Sequence, residues 1–315
     1  MNVLSVFDGI GTGRLALENA GISIGKYYSS EIEPAAITVQ RANWTDFIEL
    51  GDIRGIKARE LDRIDLMIGG SPCQGFSRQG KGLNFKDERS KLFFEFARIL
   101  QEMQEVNKEV LFMLENVCMK KEWENTITDI LGVKPIVLNS RDFSAQNRPR
   151  TYWTNIVGEI PQERGNITLA DIAEERTTDG WDAIEGIKID PGITWAEREL
   201  INIVNGEVRI RQATKKGYIV AEEGDGINLS FPKSGTRRGR VIKGKLPTLD
   251  CQCNICYLLK GEIRRITITE AERAQGLPDG YTKAIQDQER RKVIGNGWNE
   301  PTVKALFEGL KKKGR

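Results

Sequence analysis

Residues 1–158 alternate between the two hydrophobic periods that distinguish strands from helices. Segments typical of strands occur at 3–7, 27–30, 64–68 and 110–114, and all but 27–30 are mainly apolar. The clearest helix-like segment follows Ser90, a residue type that caps helices, and its regularly spaced apolar stripe is Leu92, Phe96, Ile99 and Met103. Strands that alternate with helices in this way predict a largely parallel sheet covered on both faces.

The alternation weakens between about residues 159 and 262 and returns further along the chain. There, residues 269–272 predict a helix-capping box, and Pro301 predicts the first turn of a last helix whose apolar stripe is Val303, Leu306, Phe307 and Leu310. We therefore predict an α/β domain formed by residues 1–158 plus 264–315, interrupted by a smaller inserted domain at 159–263.

Composition indicates a globular protein and narrows its chemistry. Charged residues make up 29% and hydrophobic residues 39% of the 315 residues. The chain has no histidine, which excludes Ser-His-Asp and Cys-His catalysis and every histidine-ligated metal site. Five cysteines, an odd number, favour a reducing compartment, and no apolar stretch approaches the ~18 residues of a membrane span. We expect a cytoplasmic protein without a signal peptide.

Although the net charge of the chain is only +2, two of its segments carry large and opposite charges. Residues 159–200 hold eleven acids and four bases, whereas residues 209–245 hold ten bases and three acids. Binding to nucleic acid would therefore have to come from local clusters of basic residues and not from the net charge of the chain. The basic segment is the candidate phosphate-binding part of the insert, and it is densest at Arg237, Arg238 and Arg240.

The segment Ser-Pro-Cys-Gln-Gly-Phe-Ser at 71–77 is the most informative of the chain. It follows the apolar run 64–68 and two glycines, so Cys73 is predicted at the carboxyl end of a strand, where open α/β sheets place their ligands. A thiolate on such a turn is a nucleophile. A small buried cysteine with a structural role fits the same pattern.

The segment 7–13, FDGIGTG, predicts a ligand-binding turn after the first strand. Its glycines allow a ligand to approach backbone N–H groups at a helix start, although the spacing is not that of a dinucleotide-binding turn and a simple tight connection gives the same pattern. Glu31 ends the second strand, where an acid can hold ribose hydroxyls, and Asp52 is a similar acid. Solvated surface acids are the alternative for both.

Two further polar segments are predicted near the sheet edge that carries Cys73. Glu115 follows the strand 110–114, where partial burial suits a proton donor. Gln146, Arg148 and Arg150 precede a strand candidate at 151–153, and their spacing predicts that they share one face. Arginines there can orient a carboxylate or clamp an anion. An exposed loop acid and a solvated arginine pair are the structural alternatives.

Three cysteines, at positions 251, 253 and 256, suggest a zinc site by their proximity. A structural zinc site needs four ligands, usually in CxxC pairs, and no fourth ligand is evident near them. We expect no metal.

Taken in chain order, these segments resemble the motifs of the DNA (cytosine-5) methyltransferase family. Three segments are similar to its cofactor motifs, namely FDGIGTG at 7–13, SEIEP at 30–34 and GDI at 51–53. Three are similar to its catalytic motifs, namely GGSPCQGFS at 69–77, ENV at 115–117 and QNRPR at 146–150. The remaining motifs are matched by LPTL at 246–249, residues 264–281 and IGNGWNEPTV at 294–303.

The resemblance implies an S-adenosylmethionine-dependent methyltransferase fold of Rossmann-like type, with a mixed sheet and an inserted target-recognition domain. The residues implied to bind the cofactor are Phe7, Gly9, Ile10, Gly11, Glu31, Ile32, Asp52, Ile53, Pro72, Leu92, Asn296 and Gly297. Those implied to contact DNA are Ser77, Arg78, Gln79, Lys81, Arg237, Arg238, Arg240 and Thr248. We also hypothesise that the basic, glycine-rich segment 78–86 closes on DNA.

The same resemblance implies a covalent mechanism on a cytosine flipped out of double-stranded DNA. Cys73 attacks carbon 6 and Glu115 protonates or hydrogen-bonds ring nitrogen 3. Arg148 is expected to contact the base carbonyl and Glu115, with Arg150 and Gln146 supporting the site. The expected state is a monomer.

Two other functions remain open on the sequence: an RNA cytosine-5 methyltransferase and a catalytically silent DNA-binding homologue. LFFEF at 92–96 and the tryptophan of GNGWN resemble the animal de novo branch, whereas the compact length is typical of bacterial or phage enzymes.

Overall fold

The structure, a computed structural model, describes residues 1–72, 88–158, 166–235 and 239–313. The chain divides into two compact units, each assembled from separate segments. Unit 1 comprises Met1–Asn139, Pro149–Gln162 and Glu300–Arg315, and unit 2 comprises Ser140–Arg148 and Glu163–Asn299. Within the described ranges, no helix has the length and apolar character needed to cross a membrane.

Unit 1 is built around a seven-stranded mixed sheet. Its strands are β1 (Val3–Val6), β2 (Tyr27–Ser30), β3 (Ile48–Glu49), β4 (Leu66–Gly70), β5 (Leu111–Val117), β6 (Ile136–Asn139) and β7 (Pro149–Thr154). Their order in the sheet is β3-β2-β1-β4-β5-β7-β6. β7 runs antiparallel to both β5 and β6, and the other neighbours are parallel. The predicted α/β fold with a mixed sheet is confirmed.

Five helices complete the described part of unit 1. They are α1 (Thr12–Asn19), α2 (Pro34–Asn43), α3 (Glu88–Val106) and α4 (Lys121–Leu131), with α9 (Glu300–Phe307) further along the chain. The stripe of α3 is buried at Phe93, Phe96, Ile99 and Met103, in one core cluster with β1, β4 and β5. α3 begins two residues before Ser90, so the prediction that Ser90 caps this helix is wrong.

Gly69, near the end of β4, is required for close packing. A Cβ atom there would lie 2.9 Å from the Val6 carbonyl oxygen and 3.1 Å from Cε2 of Phe96. The missing side chain therefore lets β1 and α3 close over the carboxyl end of β4.

The helix α9 packs against α1, although almost 300 residues separate them in sequence. The Asn19 Nδ2 group donates a hydrogen bond to Glu300 Oε1 at 3.0 Å, and Val303 and Phe307 are buried. α9 ends at Phe307, so Leu310 of the predicted stripe lies in the following 3-10 turn, where it is also buried.

Unit 2 consists mainly of antiparallel strands. These are β8 (Asp182–Ile184), β9 (Ile187–Ile189), β10 (Ile201–Val204), β11 (Glu207–Arg211), β12 (Tyr218–Ala221), β13 (Gly226–Asn228), β14 (Arg240–Ile242), β15 (Ile255–Leu259) and β16 (Glu262–Arg265). They form a three-stranded sheet, β10-β11-β12, and a six-stranded sheet, β14-β13-β15-β16-β9-β8. Only the β16–β9 pair of these described sheets is parallel. The helices are α5 (Leu169–Ile172), α6 (Trp195–Arg198), α7 (Ile268–Ala274) and α8 (Asp287–Asn296).

A capping box opens α7, but two residues earlier than predicted. The Glu270 amide donates to Thr267 Oγ1 at 3.1 Å, and the Thr267 amide donates to Glu270 Oε2 at 2.9 Å. The predicted box at 269–272 is therefore wrong, because Thr267 already satisfies the first free amides of the helix.

The compact units differ in their bounds from the predicted domains. Residues 140–148 and 264–299 belong to unit 2, whereas the sequence analysis placed them in the catalytic domain. Residues 140–148 belong to unit 2 because the side chains of Gln146 and Arg148 hydrogen-bond to residues 249, 275 and 295 of that unit. The functional division into catalytic and target-recognition domains stays a prediction.

Candidate active site

The turn between β1 and α1 has an unusual backbone. Phe7, Gly9 and Gly11 all adopt left-handed conformations, with φ of 56°, 58° and 76°. This conformation is strained for Phe7, since a residue with a side chain rarely adopts it, and such strain concentrates at functional sites. At Gly9 the space where a Cβ would stand is open, so a ligand can approach this backbone closely.

Gly11 is required for packing as well as for its conformation. A Cβ there would lie 2.5 Å from Cζ3 of Trp44, the residue that follows α2. Gly11 is also the amino-terminal cap of α1, and Ile10 beside it is buried. The turn is thus pressed between α2 and the start of α1, with its N–H groups at a helix amino terminus.

Glu31, directly after β2, is joined to the same turn. The Gly9 amide donates to Glu31 Oε2 at 2.7 Å, and the amides of Ile32 and Glu33 both donate to Glu31 Oε1 at 2.8 Å. A carboxylate oxygen can accept more than one hydrogen bond, so Glu31 keeps acceptor capacity for ligand hydroxyls. Glycine backbone, helix start and fixed carboxylate fit a ribose-containing ligand such as S-adenosylmethionine.

The other predicted cofactor residues of unit 1 lie in varied environments. Asp52 accepts hydrogen bonds from the Arg54 backbone and guanidinium, and these bonds lower the pKa of the Asp52 carboxyl. Ile53 is a buried member of the core cluster, whereas Ile32 is 66% exposed. Pro72 lies two residues after the end of β4, and both it and Leu92 of α3 are half-buried.

Glu115 lies inside β5 and not after it, as the sequence analysis placed it. β5 pairs with β7 so that Glu115 is opposite Tyr152, and Arg150 is therefore its diagonal neighbour on the same face. The Arg150 Nε atom lies 2.9 Å from Glu115 Oε1, and the two side chains are 13% and 12% exposed. The carboxyl-terminal part of β5 therefore carries a carboxylate that is held by a guanidinium.

The start of β7 corrects the predicted arrangement of the two arginines, whereas their roles stay predictions. β7 begins at Pro149, so Gln146 and Arg148 are not strand residues and the argument that they share a face with Arg150 is wrong. Arg148 donates to the carbonyl oxygens of Leu249, Gly295 and Gly297 at 3.1, 3.2 and 2.8 Å. The described ion pair with Glu115 is made by Arg150.

Gln146 is fully buried in unit 2 and its amide is hydrogen-bonded at both ends. Its Nε2 donates to Gln275 Oε1 at 3.1 Å, and its Oε1 accepts the Leu249 amide at 3.1 Å. These contacts join residues about 100 or more positions apart, so they account for a glutamine there without a role in chemistry.

Asn116 is a site residue that the sequence analysis did not single out. It is buried, and its Nδ2 donates to Ser71 Oγ at 2.9 Å and to the Ser71 carbonyl oxygen at 3.2 Å. Asn116 therefore fixes the backbone two residues before Cys73. Its place beside Glu115, as the second polar residue after a long apolar run, was the available signal.

The predicted site residues of unit 2 have identifiable contacts. Asn296 ends α8, and its Oδ1 accepts a hydrogen bond from Cys251 Sγ at 3.0 Å. Gly297 follows it and accepts from Arg148. Thr248 donates through Oγ1 to the Asn147 carbonyl oxygen at 2.7 Å, and Arg240 is exposed at the start of β14. Their cofactor and DNA roles stay predictions.

Several predicted site residues lie outside the described residues. They are Cys73, Ser77, Arg78, Gln79, Lys81, Arg237 and Arg238, together with the segment predicted to close on DNA.

Within the described ranges, no group of three potential metal ligands occurs. Cys253 and Cys256 are buried, and burial raises the pKa of each thiol to about 12.

The order of the seven-stranded sheet, its single reversed strand and the turn after β1 define an S-adenosylmethionine-dependent methyltransferase fold. Residues 1–312 match the family model of the C-5 cytosine-specific DNA methylases. The chain belongs to this family, and it is a DNA (cytosine-5) methyltransferase.

Curated relatives are methyltransferases of Type II restriction-modification systems. Type II methyltransferase M1.ScrFI of Lactococcus lactis subsp. cremoris is 28% identical over 98% of this chain and 77% of its own length. Type II methyltransferase M.HpaII of Haemophilus parainfluenzae is 29% identical over 98% of this chain and 89% of its own length.

Solved structures share the fold at low sequence identity. The S. pombe Dnmt2 methyltransferase superposes with a TM-score of 0.67 at 17% identity, over 100% of this chain and 99% of its own. The Entamoeba histolytica methyltransferase EhMeth gives the same TM-score, 0.67, at 17% identity and with the same coverage of 100% and 99%.

Proposed function

We propose that this enzyme uses S-adenosylmethionine to methylate carbon 5 of a cytosine flipped out of double-stranded DNA, with Cys73 as the nucleophile. The observation that carries the proposal is the Glu115–Arg150 pair at the end of β5, on the strand next to the one that leads through Ser71 and Pro72 to Cys73. A held carboxylate on the strand next to one that is followed in sequence by a cysteine suits covalent activation of a pyrimidine ring.

The proposed chemistry uses no histidine. The Cys73 thiolate adds to carbon 6 of cytosine, and the electron pair of the 5,6 double bond makes carbon 5 nucleophilic. Glu115 donates a proton or a hydrogen bond to ring nitrogen 3, which stabilises the charge that the addition creates. Arg150 holds Glu115 in position. Once carbon 5 has gained a methyl group, water takes the proton of carbon 5. The electron pair of that bond re-forms the 5,6 double bond and expels the Cys73 thiolate, and nitrogen 3 returns any proton it received to Glu115.

The turn of Phe7 to Gly11 and the carboxylate of Glu31 would hold S-adenosylmethionine. This cofactor supplies an electrophilic methyl group. Glu31 is already oriented by three backbone amides, so it offers its remaining lone pairs to ribose hydroxyls without reorganising. Ile32 and Asp52, whose side chains are partly exposed, are the proposed adenosine contacts beside it.

Unit 2 would recognise DNA through a surface that we call the cationic end. Its described part is formed by the β11–β12 turn and by residues 229–235 and 239 between β13 and β14, and residues 208–221 and 226–249 contain no acid. Arg211 Nη2 donates to the Pro232 carbonyl oxygen at 3.3 Å, and Gly239 packs against Ile210 and Arg211, so the two segments meet. A surface of one sign attracts phosphates.

The arrangement of side chains on the cationic end supports this proposal. Arg209 and Lys216 both lie over the Tyr218 ring, with 4.8 and 4.6 Å to its centroid. The acids nearest in sequence are Glu207, which begins β11 and accepts a hydrogen bond from Arg209, and Glu222, Glu223 and Asp225, which follow the opposite end of β12. The last three are bound to Lys243 and to the amides of residues 222, 244, 260 and 261.

The test is base-resolution methylation mapping of genomic DNA from cells that express the protein, with the Cys73→Ala variant as the control. We expect 5-methylcytosine at one recurrent sequence in the cells with the unaltered protein and none in the control. Methylation of transfer RNA alone would replace the DNA substrate with RNA. Binding to DNA without any methyl transfer would indicate a silent homologue.

A further inference from the structure

A buried polar cluster lies beneath the proposed cofactor turn. We call it the Asp8 cluster, and its members are Ser5, Asp8, Tyr27, Ser29 and Gln40. Asp8 Oδ1 accepts hydrogen bonds from the Ser5 hydroxyl at 2.6 Å and the Tyr27 hydroxyl at 2.8 Å, and Asp8 Oδ2 accepts one from Gln40 Nε2 at 3.2 Å. The sequence analysis assigned none of these residues a role.

Gln40 connects this cluster to the turn itself. Its Nε2 also donates to the Gly9 carbonyl oxygen at 2.6 Å, and its Oε1 accepts the Ser29 hydroxyl at 2.9 Å. The Gly9 amide donates to Glu31. Both polar groups of Gly9 are therefore fixed by side chains, one from α2 and one from the end of β2, at the residue with open space for a ligand.

Two charged side chains from neighbouring elements act on the Asp8 cluster: Glu31, which follows β2, and Arg14 of α1. Glu31 raises the pKa of Asp8, and Arg14 of α1 lies 5.4 Å from the centroid of the Tyr27 ring. Burial is the main effect, and it raises the pKa of the Asp8 carboxyl to about 6, while burial keeps the pKa of Tyr27 well above its ordinary value. Within the cluster, Asp8 is the group that changes charge near neutral pH.

We propose that Asp8 and Gln40 are positioning residues that hold the Gly9 peptide in the conformation that binds S-adenosylmethionine, and that this requires an ionised Asp8. The inference rests on the proposed function in that it takes S-adenosylmethionine as the cofactor. An ionised carboxylate accepts from all three donors. A protonated carboxyl is a weaker acceptor and, with its proton on Oδ2, presents a donor to the Gln40 amide donor, which weakens the bond that holds Gln40 against the Gly9 carbonyl.

The direct test is calorimetric titration of the protein without DNA, using S-adenosylmethionine, between pH 5 and pH 7.5. If only the ionised form binds, the apparent Kd rises by the reciprocal of the ionised fraction, which is about tenfold at pH 5 for a group that titrates near pH 6. The Asp8→Asn variant should bind about tenfold more weakly at every pH and show no pH dependence. Asp62→Asn, which removes an exposed acid of the same unit, should keep the pH profile of the unaltered protein.

S-adenosylhomocysteine separates positioning from direct charge attraction, because its sulfur is neutral. A pH profile equal to that of S-adenosylmethionine supports action through the Gly9 backbone, whereas a profile seen only with the sulfonium compound overturns it. Gln40→Met should weaken both ligands equally. A flat profile of the unaltered protein overturns the inference even if the variants fail to fold. Absence of S-adenosylmethionine binding at every pH would instead contradict the proposed function.

Discussion

Arg150 and Glu115 form an ion pair across two antiparallel strands, with 2.9 Å between Nε and Oε1. Both side chains are almost enclosed, so water screens the pair less than it would at the surface. Removal of one partner from such a pair leaves an uncompensated charge. The pair therefore couples the position of the proposed proton donor to the reversed strand β7.

Replacement of Arg150 by methionine should lower kcat by about 10²-fold or more, because Glu115 loses the group that orients it. Arg148→Met is the matched comparison. Arg148 donates to three carbonyl oxygens of unit 2, so its loss should mainly lower the free energy of unfolding, by about 1–3 kcal/mol. Steady-state kinetics and urea unfolding of both variants distinguish the roles. Equal kcat losses at unchanged stability would contradict this assignment.

The Cys73→Ala variant should lose methyl transfer completely and retain DNA binding, because the sulfur acts only after the base has left the helix. A filter-binding assay and a tritiated-methyl transfer assay on the same DNA measure the two properties. Measurable turnover by the purified variant would remove the covalent mechanism.

Glu115→Gln should lose about 10²–10⁴-fold in activity and keep its affinity for the cofactor, because glutamine can still hydrogen-bond but supplies no comparable proton. Single-turnover methyl transfer and calorimetric cofactor binding are the two measurements. A loss smaller than tenfold would give Glu115 a structural role.

Joint replacement of Arg237, Arg238 and Arg240 by alanine should weaken DNA binding and flatten its dependence on salt. Each phosphate contact contributes about 0.9 to the slope of log affinity against log salt. The control replaces the exposed Arg41, Lys57 and Arg59 of unit 1, which changes the net charge equally. Fluorescence anisotropy at several salt concentrations gives both slopes. A triple variant with the affinity and slope of the unaltered protein would place the DNA surface elsewhere.

The stability of the protein should depend on pH through Asp8. Since burial raises the pKa of Asp8 from 3.8 to about 6 in the folded state, the folded protein binds a proton more tightly than the unfolded chain. The stabilisation is complete below pH 3.8 and is lost as the pH rises through about 6, a change of roughly 3 kcal/mol for a shift of this size. The difference in unfolding free energy between the unaltered protein and Asp8→Asn, measured in urea from pH 4.5 to 7.5, isolates this change. A constant difference would contradict it.

The sequence predicted the central strands β1, β4 and β5 well because they are buried on both faces and appear as largely apolar runs, whereas β3 and β6, which are more exposed, gave no such signal. Glu115 and the turn at Gly9 were found for the same reason, since both adjoin such runs. The boundary at Pro149 was not predictable from the spacing of Gln146, Arg148 and Arg150, because side-chain periodicity does not reveal where a strand begins.

Contacts between residues far apart in sequence account for the other omissions. Asp8 and Gln40 are 32 residues apart, and neither stands in a pattern that indicates a buried pair. In unit 2, β9 pairs with β16 across more than seventy residues, a pairing that no local signal specifies. The predicted domain bounds differ from the compact units for the same reason.

The packing of α9 on α1 has a consequence for the order in which the protein is made. During synthesis, β1, α1 and the strands of unit 1 leave the ribosome long before residues 300–307, which supply part of the surface that covers α1. Nascent domains usually fold as units as they emerge. Unit 1 cannot be completed in this way, because the part of α1 that packs against α9 lacks its native neighbour until residues 300–307 have been added.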